Sequence, residues 1–374
     1  MLLVVTLDGQ VVEQVSPFLD ARVQVADPYQ LRANDNLCQR GSDVNGVGFL
    51  LTHEEAGSLL SSNPQNAVVV LPFLNGDDVN THAQQAPSRW VINFGEGTLE
   101  QASEFPELLG ILRERVLPER SRNRDRRRRE FWWRLDRPKT KLYEAIGQLD
   151  AALVCSMVSK YLALSLAPVD IVFSHELNVF VFDSYAAFAV LQSSLHDSWV
   201  RNYGSTLETR MRYTPSACFA TFPFPCSMPQ SVSGLTPLEE AGCKCYEHRR
   251  HVMRASQEGL TKTYNRIHDP DEASADIQKL RDLHVEMDKA VAAAYGWTDL
   301  DLGHGFHETK QGLRFTISEV ARREVLTRLL RLNHERYEEE VRQGLHDKKK
   351  GKGGGRKRQD SETETPDLFE EADQ

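Results

Sequence analysis

Residues 63–94, NPQNAVVVLPFLNGDDVNTHAQQAPSRWVINF, decide how the rest of this 374-residue chain is read. Val68 to Leu71 is a short apolar run, and Trp90-Val91-Ile92-Asn93-Phe94 alternates large side chains with the period of a strand. Asn75-Gly76-Asp77 has the chemistry of a turn, so the stretch predicts two strands bracketing a long polar loop. That loop carries Asn75, Asp77, Asp78, Asn80, His82, Gln84, Gln85, Ser88 and Arg89, whose donors and acceptors are of the kind that read base edges. An ordinary solvated connection is the plainer reading of the same composition.

The neighbouring segment shifts that balance. Between Arg113 and Arg137 stand eleven arginines against five acids, in a chain whose formal net charge is -9. Trp132-Trp133, Lys139 and Lys141 accompany them. Guanidinium groups beside aromatic rings are the chemistry of a phosphate-tracking surface, and arginine in preference to lysine favours that over a merely solvated face. Arg122, Arg124, Arg126, Arg127, Arg128, Arg129, Lys139 and Lys141 are therefore the phosphate candidates, with Arg127 and Arg128 leading. Asn75, Asp77, Asn80 and Arg89 are the base-reading candidates, and Trp132 and Trp133 the stacking or packing residues.

PFLNGDDVN, SRWVINF and VLPERSRNRDRRRREFWW occur in that order, followed by LQSSLHDSW, YGSTL and RMRYTPSACFATFPFP. Together they resemble the DNA target recognition region of the large single-chain adenine-specific DNA methyltransferases of type IIG restriction-modification systems, the MmeI-like group. GLTKTYNRIHDPDE, LRDLHVEMDKAVAAAYGW and EVLTRLLRLNHERYEEE resemble the helical region that follows in the same enzymes. The resemblance runs from about Asp8 to Lys348. It implies an α+β protein: a mixed α/β target recognition domain, then a mainly helical domain and a disordered tail. The expected limits are a lead-in at 1–34 that joins a methylase core, recognition at 35–230, helices at 235–346 and a charged tail at 347–374.

The chemistry of methyl transfer is missing from these residues. The family's catalytic part needs a glycine-rich loop for S-adenosylmethionine and an acidic or amide residue followed by two prolines and an aromatic. Ser62-Asn63-Pro64-Gln65 and Asp27-Pro28-Tyr29 each lack the second proline. A stacked adenine cannot offer its amino group without such a pocket. The expectation is a chain that binds double-stranded DNA, holds no cofactor itself and positions DNA for S-adenosylmethionine-dependent transfer by a methyltransferase core in a missing part or a separate polypeptide. His175-Glu176 lacks the second histidine of a zincin, and no GxSxG occurs, so independent catalysis is not expected.

Composition allows this reading. A hydrophobic fraction of 40% and a charged fraction of 26% are ordinary for a globular protein, and the length suggests two or three compact units. The longest apolar runs, such as 186–191, fall far short of the ~20 residues of a membrane span, so no membrane is expected and the location is expected to be cytoplasmic. Six cysteines without a CxxC pair are expected to be free thiols. Cys243, Cys245, His248 and His251 fall within nine residues, but structural zinc draws its ligands from loops or separated elements, so a helix with buried thiols and exposed histidines is the reading and no metal is expected.

Local signals fill in the rest. Asp8-Gly9 predicts a hairpin near the start, and Gly41, Gly46 and Gly48 mark turns rather than a phosphate loop. Thr52 and Glu55 have capping-box spacing before a short helix that Asn63-Pro64 ends. Strands are expected at 152–158, 171–173 and 179–182, then one helix over 183–203. Thr236-Pro237-Leu238-Glu239 reads as a capped helix start, after which helix is expected to dominate as far as Leu345. Arg249, Arg250, Lys262 and Arg266 suggest a basic edge there. Two other readings stay open: a scaffold that docks a methylase or defence-system subunit without touching DNA, and an inactive remnant. Binding against salt separates the first, since neutralising about five phosphates gives a log-log slope near -4.5.

Overall fold

The computed structural model describes residues 5–7, 10–12, 27–226 and 229–347. Val5–Leu7 (β1) and Gln10–Val12 (β2) pair antiparallel with Leu7 opposite Gln10, the hairpin that Asp8-Gly9 announces. Cys38–Arg40 (β3) and Leu50–Leu51 (β4) follow, then helix His53–Ser62 (α1). Its start is a complete capping box: Glu55 N donates to Thr52 Oγ1 at 3.1 Å and Thr52 N to Glu55 Oε2 at 2.8 Å. These two bonds satisfy amides that a bare helix end leaves open.

The quoted stretch supplies Val70–Leu74 (β5) and Arg89–Ile92 (β6), paired antiparallel with Leu71 opposite Val91. Between them the chain is not the expected loop. Gly76–Thr81 (α2) is a helix whose first amides, Asp77 N and Asp78 N, donate to Asn75 Oδ1 at 2.8 and 3.0 Å. Asp78 Oδ2 returns the favour by accepting from Asn75 N, so the supposed turn residues are a second capping box.

Five short helices follow, Leu99–Ser103 (α3), Pro106–Arg115 (α4), Leu117–Arg120 (α5), Arg126–Glu130 (α6) and Thr140–Ile146 (α7), and the middle three carry arginines of the segment. The strands Ala152–Ser156 (β7), Val158–Ser159 (β8), Leu164–Ala167 (β9), Val172–Phe173 (β10) and Leu177–Phe180 (β11) come next; β8 belongs to a third sheet, and the other four complete two. One has the order β10-β5-β6-β4, with β10 parallel to β5; the other is β3-β11-β7-β9, wholly antiparallel. A small core of Phe49, Val91, Ile92, Leu108, Leu112, Trp133 and Leu135 lies against the first sheet.

The larger core is built on the second sheet. Tyr185–Gln192 (α8) is buried from Ala186 through Gln192, as a helix apolar on every side must be. Ser193 ends it and its hydroxyl caps Ser194–Tyr203 (α9), so the single helix expected over 183–203 is two. Ser205–Leu207 (β12) and Arg210–Arg212 (β13) form a hairpin on β8. Thr236–Ser256 (α10) crosses α8 closely: a Cβ at Gly242 would stand 2.1 Å from Tyr185 O.

The start of α10 differs from expectation in a useful way. Thr236 is helical and its hydroxyl caps nothing, while Glu239 accepts from Ala186 N at 2.7 Å and so caps α8 instead. Leu260–Ile267 (α11) and Ala275–Ala294 (α12) follow. Helix dominates this region as expected, interrupted by the hairpin of Gly305–Thr309 (β14) and Gly312–Thr316 (β15) before Glu319–Arg342 (α13). One continuous apolar cluster joins β7, β11, α8, α10, α12 and α13, so no break in the core falls at 230–235.

The first continuous stretch is fastened to α13. Asn333 clamps Tyr29 through both its N and O at 2.9 and 2.8 Å, and the Glu340 carboxylate accepts from Arg32 N and Ala33 N at 2.8 and 2.9 Å. Tyr29 stacks on Tyr337 at 4.0 Å, and His346 lies 4.5 Å from the same ring. The anticipated tail, from Lys348 onward, and most of the anticipated lead-in lie outside the described residues.

Candidate nucleic-acid interface

The eleven arginines of residues 113–137 divide into two groups. Arg120 is 3% exposed, and its guanidinium donates to the carbonyls of Arg134, Val44 and Asn45 while lying 4.7 Å over the Phe49 ring. Burial lowers its pKa from the ordinary arginine value. Arg128 makes two bonds to Asp136, at 2.8 and 3.1 Å. With the Asn45 amide turned to its favoured orientation, Arg128 also donates to Asn45 Oδ1 at 2.7 Å. Both side chains thus brace residues 44–48, where Gly46 takes a φ of +131° that a side chain would strain.

Four more are committed to partners. Arg115 meets Glu55 at 2.6 Å, Arg126 meets Glu130 at 2.6 Å, and Arg129 donates to the carbonyls of Asn123 and Arg124. Arg134 donates to Gly97 O at 2.8 Å and lies over Phe131. Arg113, Arg122, Arg124, Arg127 and Arg137 are exposed and their side chains make no hydrogen bond or ion pair. The leading pair from the sequence therefore splits: Arg127 is free and borders a shallow cleft with Phe131, Arg134 and Asp136, whereas Arg128 is an internal strut.

Lys141 is exposed; Lys139 is half-buried in a left-handed backbone conformation, φ 61°, and burial followed by Arg137 and Arg40 lowers its ammonium pKa. Trp133 is buried and its Nε1 donates to Gly97 O at 3.1 Å; Trp132 packs edge-on against it. Trp133 serves packing, while Trp132 is partly exposed beside it. The small core they join anchors the arginine segment to the sheet that carries Trp90.

The base-edge candidates also separate. Asn75 spends its side-chain oxygen on the cap of α2, and Asn80 donates to Ser156 Oγ at 2.7 Å. Asp77 and Arg89 keep exposed side chains without partners. An element given no role from the sequence is the β12–β13 hairpin, where Leu207, Glu208, Arg210 and Arg212 are all exposed and Arg210 meets Glu208 at 2.9 Å. Its signal was present as the alternation in STLETRMRY.

Of the basic edge expected on the helices, only Lys262 is exposed and unpaired. Arg249 is 2% exposed and donates to Leu164 O, Gln192 and Tyr264. Arg266 lies between Glu258 and Glu272, and Arg250 meets Glu247. The cysteine-histidine group is dispersed: Cys245 is buried beside Arg249 with its thiol pushed up to about 12 by burial, and His248 bonds to Asp276 O. Among the described residues no three His, Cys, Asp or Glu side chains gather as metal ligands, and all six cysteines are free. No described helix is long and apolar enough to cross a membrane.

A family model described as "MmeI, target recognition domain" matches residues 29–226. Among solved structures, the chain matches one of the type IIL restriction-modification enzyme MmeI in complex with DNA, with a TM-score of 0.60 and 19% identity. That match covers 88% of this chain and 39% of the other, so the chain spans less than half of that enzyme. No curated protein matches.

Proposed function

The chain belongs to the MmeI target recognition domain family, and we propose from that premise that it reads a specific sequence in duplex DNA for a restriction-modification enzyme. The supporting observation is the arrangement of Arg122, Arg124 and Arg127. They project without partners from a turn and a short helix whose own frame is fixed by Arg120, Arg128 and Arg129. A backbone frame already fixed spares the cost of ordering the chain on meeting phosphates, leaving side-chain freedom as the cost of setting register on the duplex. Asp77 and Arg89, which remain free, and the exposed β12–β13 hairpin then interrogate base edges.

The catalytic step belongs elsewhere. The resemblance to adenine-specific methyltransferases points to transfer from S-adenosylmethionine to a flipped adenine, performed by a methyltransferase core in the same or a separate polypeptide. The 39% span on the MmeI structure supports that division of labour. Equilibrium binding of the chain to duplex DNA across ~0.05–0.2 M salt tests the reading. Three phosphate contacts from Arg122, Arg124 and Arg127 give a log-log slope of about -2.7, steeper if Arg113, Arg137 or Lys141 join them. A slope near zero overturns the proposal.

A further inference from the structure

Three separated parts of the chain meet at the ring of Tyr161. Lys160 Nζ lies 5.1 Å from the ring centroid and the Arg314 guanidinium 4.5 Å from it. His268, at the end of α11, stands with its ring 4.9 Å from the same centroid. Neither cation meets a carboxylate, although Arg314 is 8% exposed and its one hydrogen bond is a long 3.5 Å contact to Gln311 O. A buried guanidinium ordinarily finds an acid or several carbonyls, as Arg120 and Arg281 do here.

Asn265 completes the group. Its Oδ1 accepts from both Lys160 Nζ and Tyr161 OH at 2.7 Å, which turns its amide nitrogen outward with nothing to bond. His268 is pushed down to about 2 by burial and then by Arg314, His284, Arg201 and Lys160, all of them basic. An anion that reaches Lys160 there also gains from the Arg314 charge, which no acid cancels.

We propose that Lys160 and the Asn265 amide, backed by the buried charge of Arg314, bind a backbone phosphate of duplex DNA where the β8–β13 sheet meets α11 and the β14–β15 hairpin. The inference rests on the target-recognition reading and extends it, since it gives the helical region a contact of its own with the duplex. Lysine acts here as a point charge, and the amide supplies a directed donor.

Duplex binding by the full chain, measured against salt for the wild type, Lys160→Gln, Asn265→Ala and Arg314→Gln, tests it. Lys160→Gln is expected to lower the slope by about 0.9 and the affinity about eightfold at ~0.1 M salt, equally for all duplex sequences. Asn265→Ala is expected to weaken binding about threefold with the slope kept. Arg314→Gln is expected to lower the slope as well, its folding checked by melting; Arg314→Lys, which keeps the charge, restores it. An unchanged slope in Lys160→Gln beside a salt-dependent wild type overturns the inference and leaves the target-recognition reading standing. Loss confined to one DNA sequence overturns the phosphate assignment. Thermal stabilisation by inorganic phosphate that Lys160→Gln abolishes, without a change in slope, assigns the site to a free anion and overturns the duplex form. No duplex binding by the wild type overturns both.

Discussion

The arginine segment and the group around Tyr161 relate charge to availability in opposite ways. The first is dense in sequence, yet six of its eleven arginines are spent on Glu55, Glu130, Asp136 or backbone carbonyls. The second draws single cations from residues 160 and 314, and no acid answers either. A run of interleaved arginines and acids builds its own frame first and leaves a remainder for a ligand. A cluster assembled from distant residues carries no neighbouring acids to consume it.

Substitutions that separate frame from remainder can break this comparison. Replacing Arg122, Arg124 and Arg127 together by glutamine is expected to cost a few hundredfold in duplex affinity at ~0.1 M salt, from a slope reduced by about 2.7, while stability in urea shifts by less than about 0.5 kcal/mol. Arg120→Ala is expected to do the reverse. It leaves the carbonyls of Val44, Asn45 and Arg134 unpaired and should remove about 3 kcal/mol of unfolding free energy, read from the urea midpoint. If Arg122 and its neighbours prove more costly to stability than Arg120, the division is wrong.

A smaller effect sharpens the account of Arg128. Burial pushes the Asp136 carboxyl up, but the guanidiniums of Arg128, Arg120 and Arg137 together, Arg128 foremost, outweigh it and hold the carboxyl below its ordinary 3.8. A depressed carboxylate stabilises the fold above its unfolded pKa, and that contribution is lost as pH falls through the folded value. Arg128→Gln leaves the burial without its main counterweight, so it is expected to cost about 1–2 kcal/mol at neutral pH and to move the acid loss of stability to higher pH. Asn75→Ala should be smaller again, about 1 kcal/mol from a lost helix cap, with the DNA sequence preference unaltered. A changed preference would return Asn75 to the base-reading set.

Local patterns announced what local interactions decide. Thr52 and Glu55 gave the start of α1, and the 63–94 stretch gave β5 and β6. Asn75-Gly76-Asp77-Asp78 misled because turn chemistry and cap chemistry use the same side chains; only the Asp78 return bond tells them apart. β9 was hidden in LALSLA, where leucine alternates with alanine or serine but the alanines are themselves apolar and the strand is largely buried on both faces, so no polar-apolar contrast marks it. The β14–β15 hairpin was missed between long helices, where Gly303 and Gly312, both at positive φ, were the available signs.

The interface was less legible for a physical reason. Which arginines are free depends on partners such as Glu55, sixty positions from Arg115, and Gly97, thirty-seven from Arg134. The Tyr161 group spans more than 150 positions and leaves no motif at all. Charge sign and density were readable along the chain, but the pairing that cancels charge was not.

Tyr337 has one consequence for handling the molecule. Tyr29 and His346 flank its ring, so two residues more than 300 positions apart in the chain lie side by side. A short linker from residue 29 to residue 346, with new ends opened at Glu208-Thr209, is therefore a circular permutation that spans almost no distance.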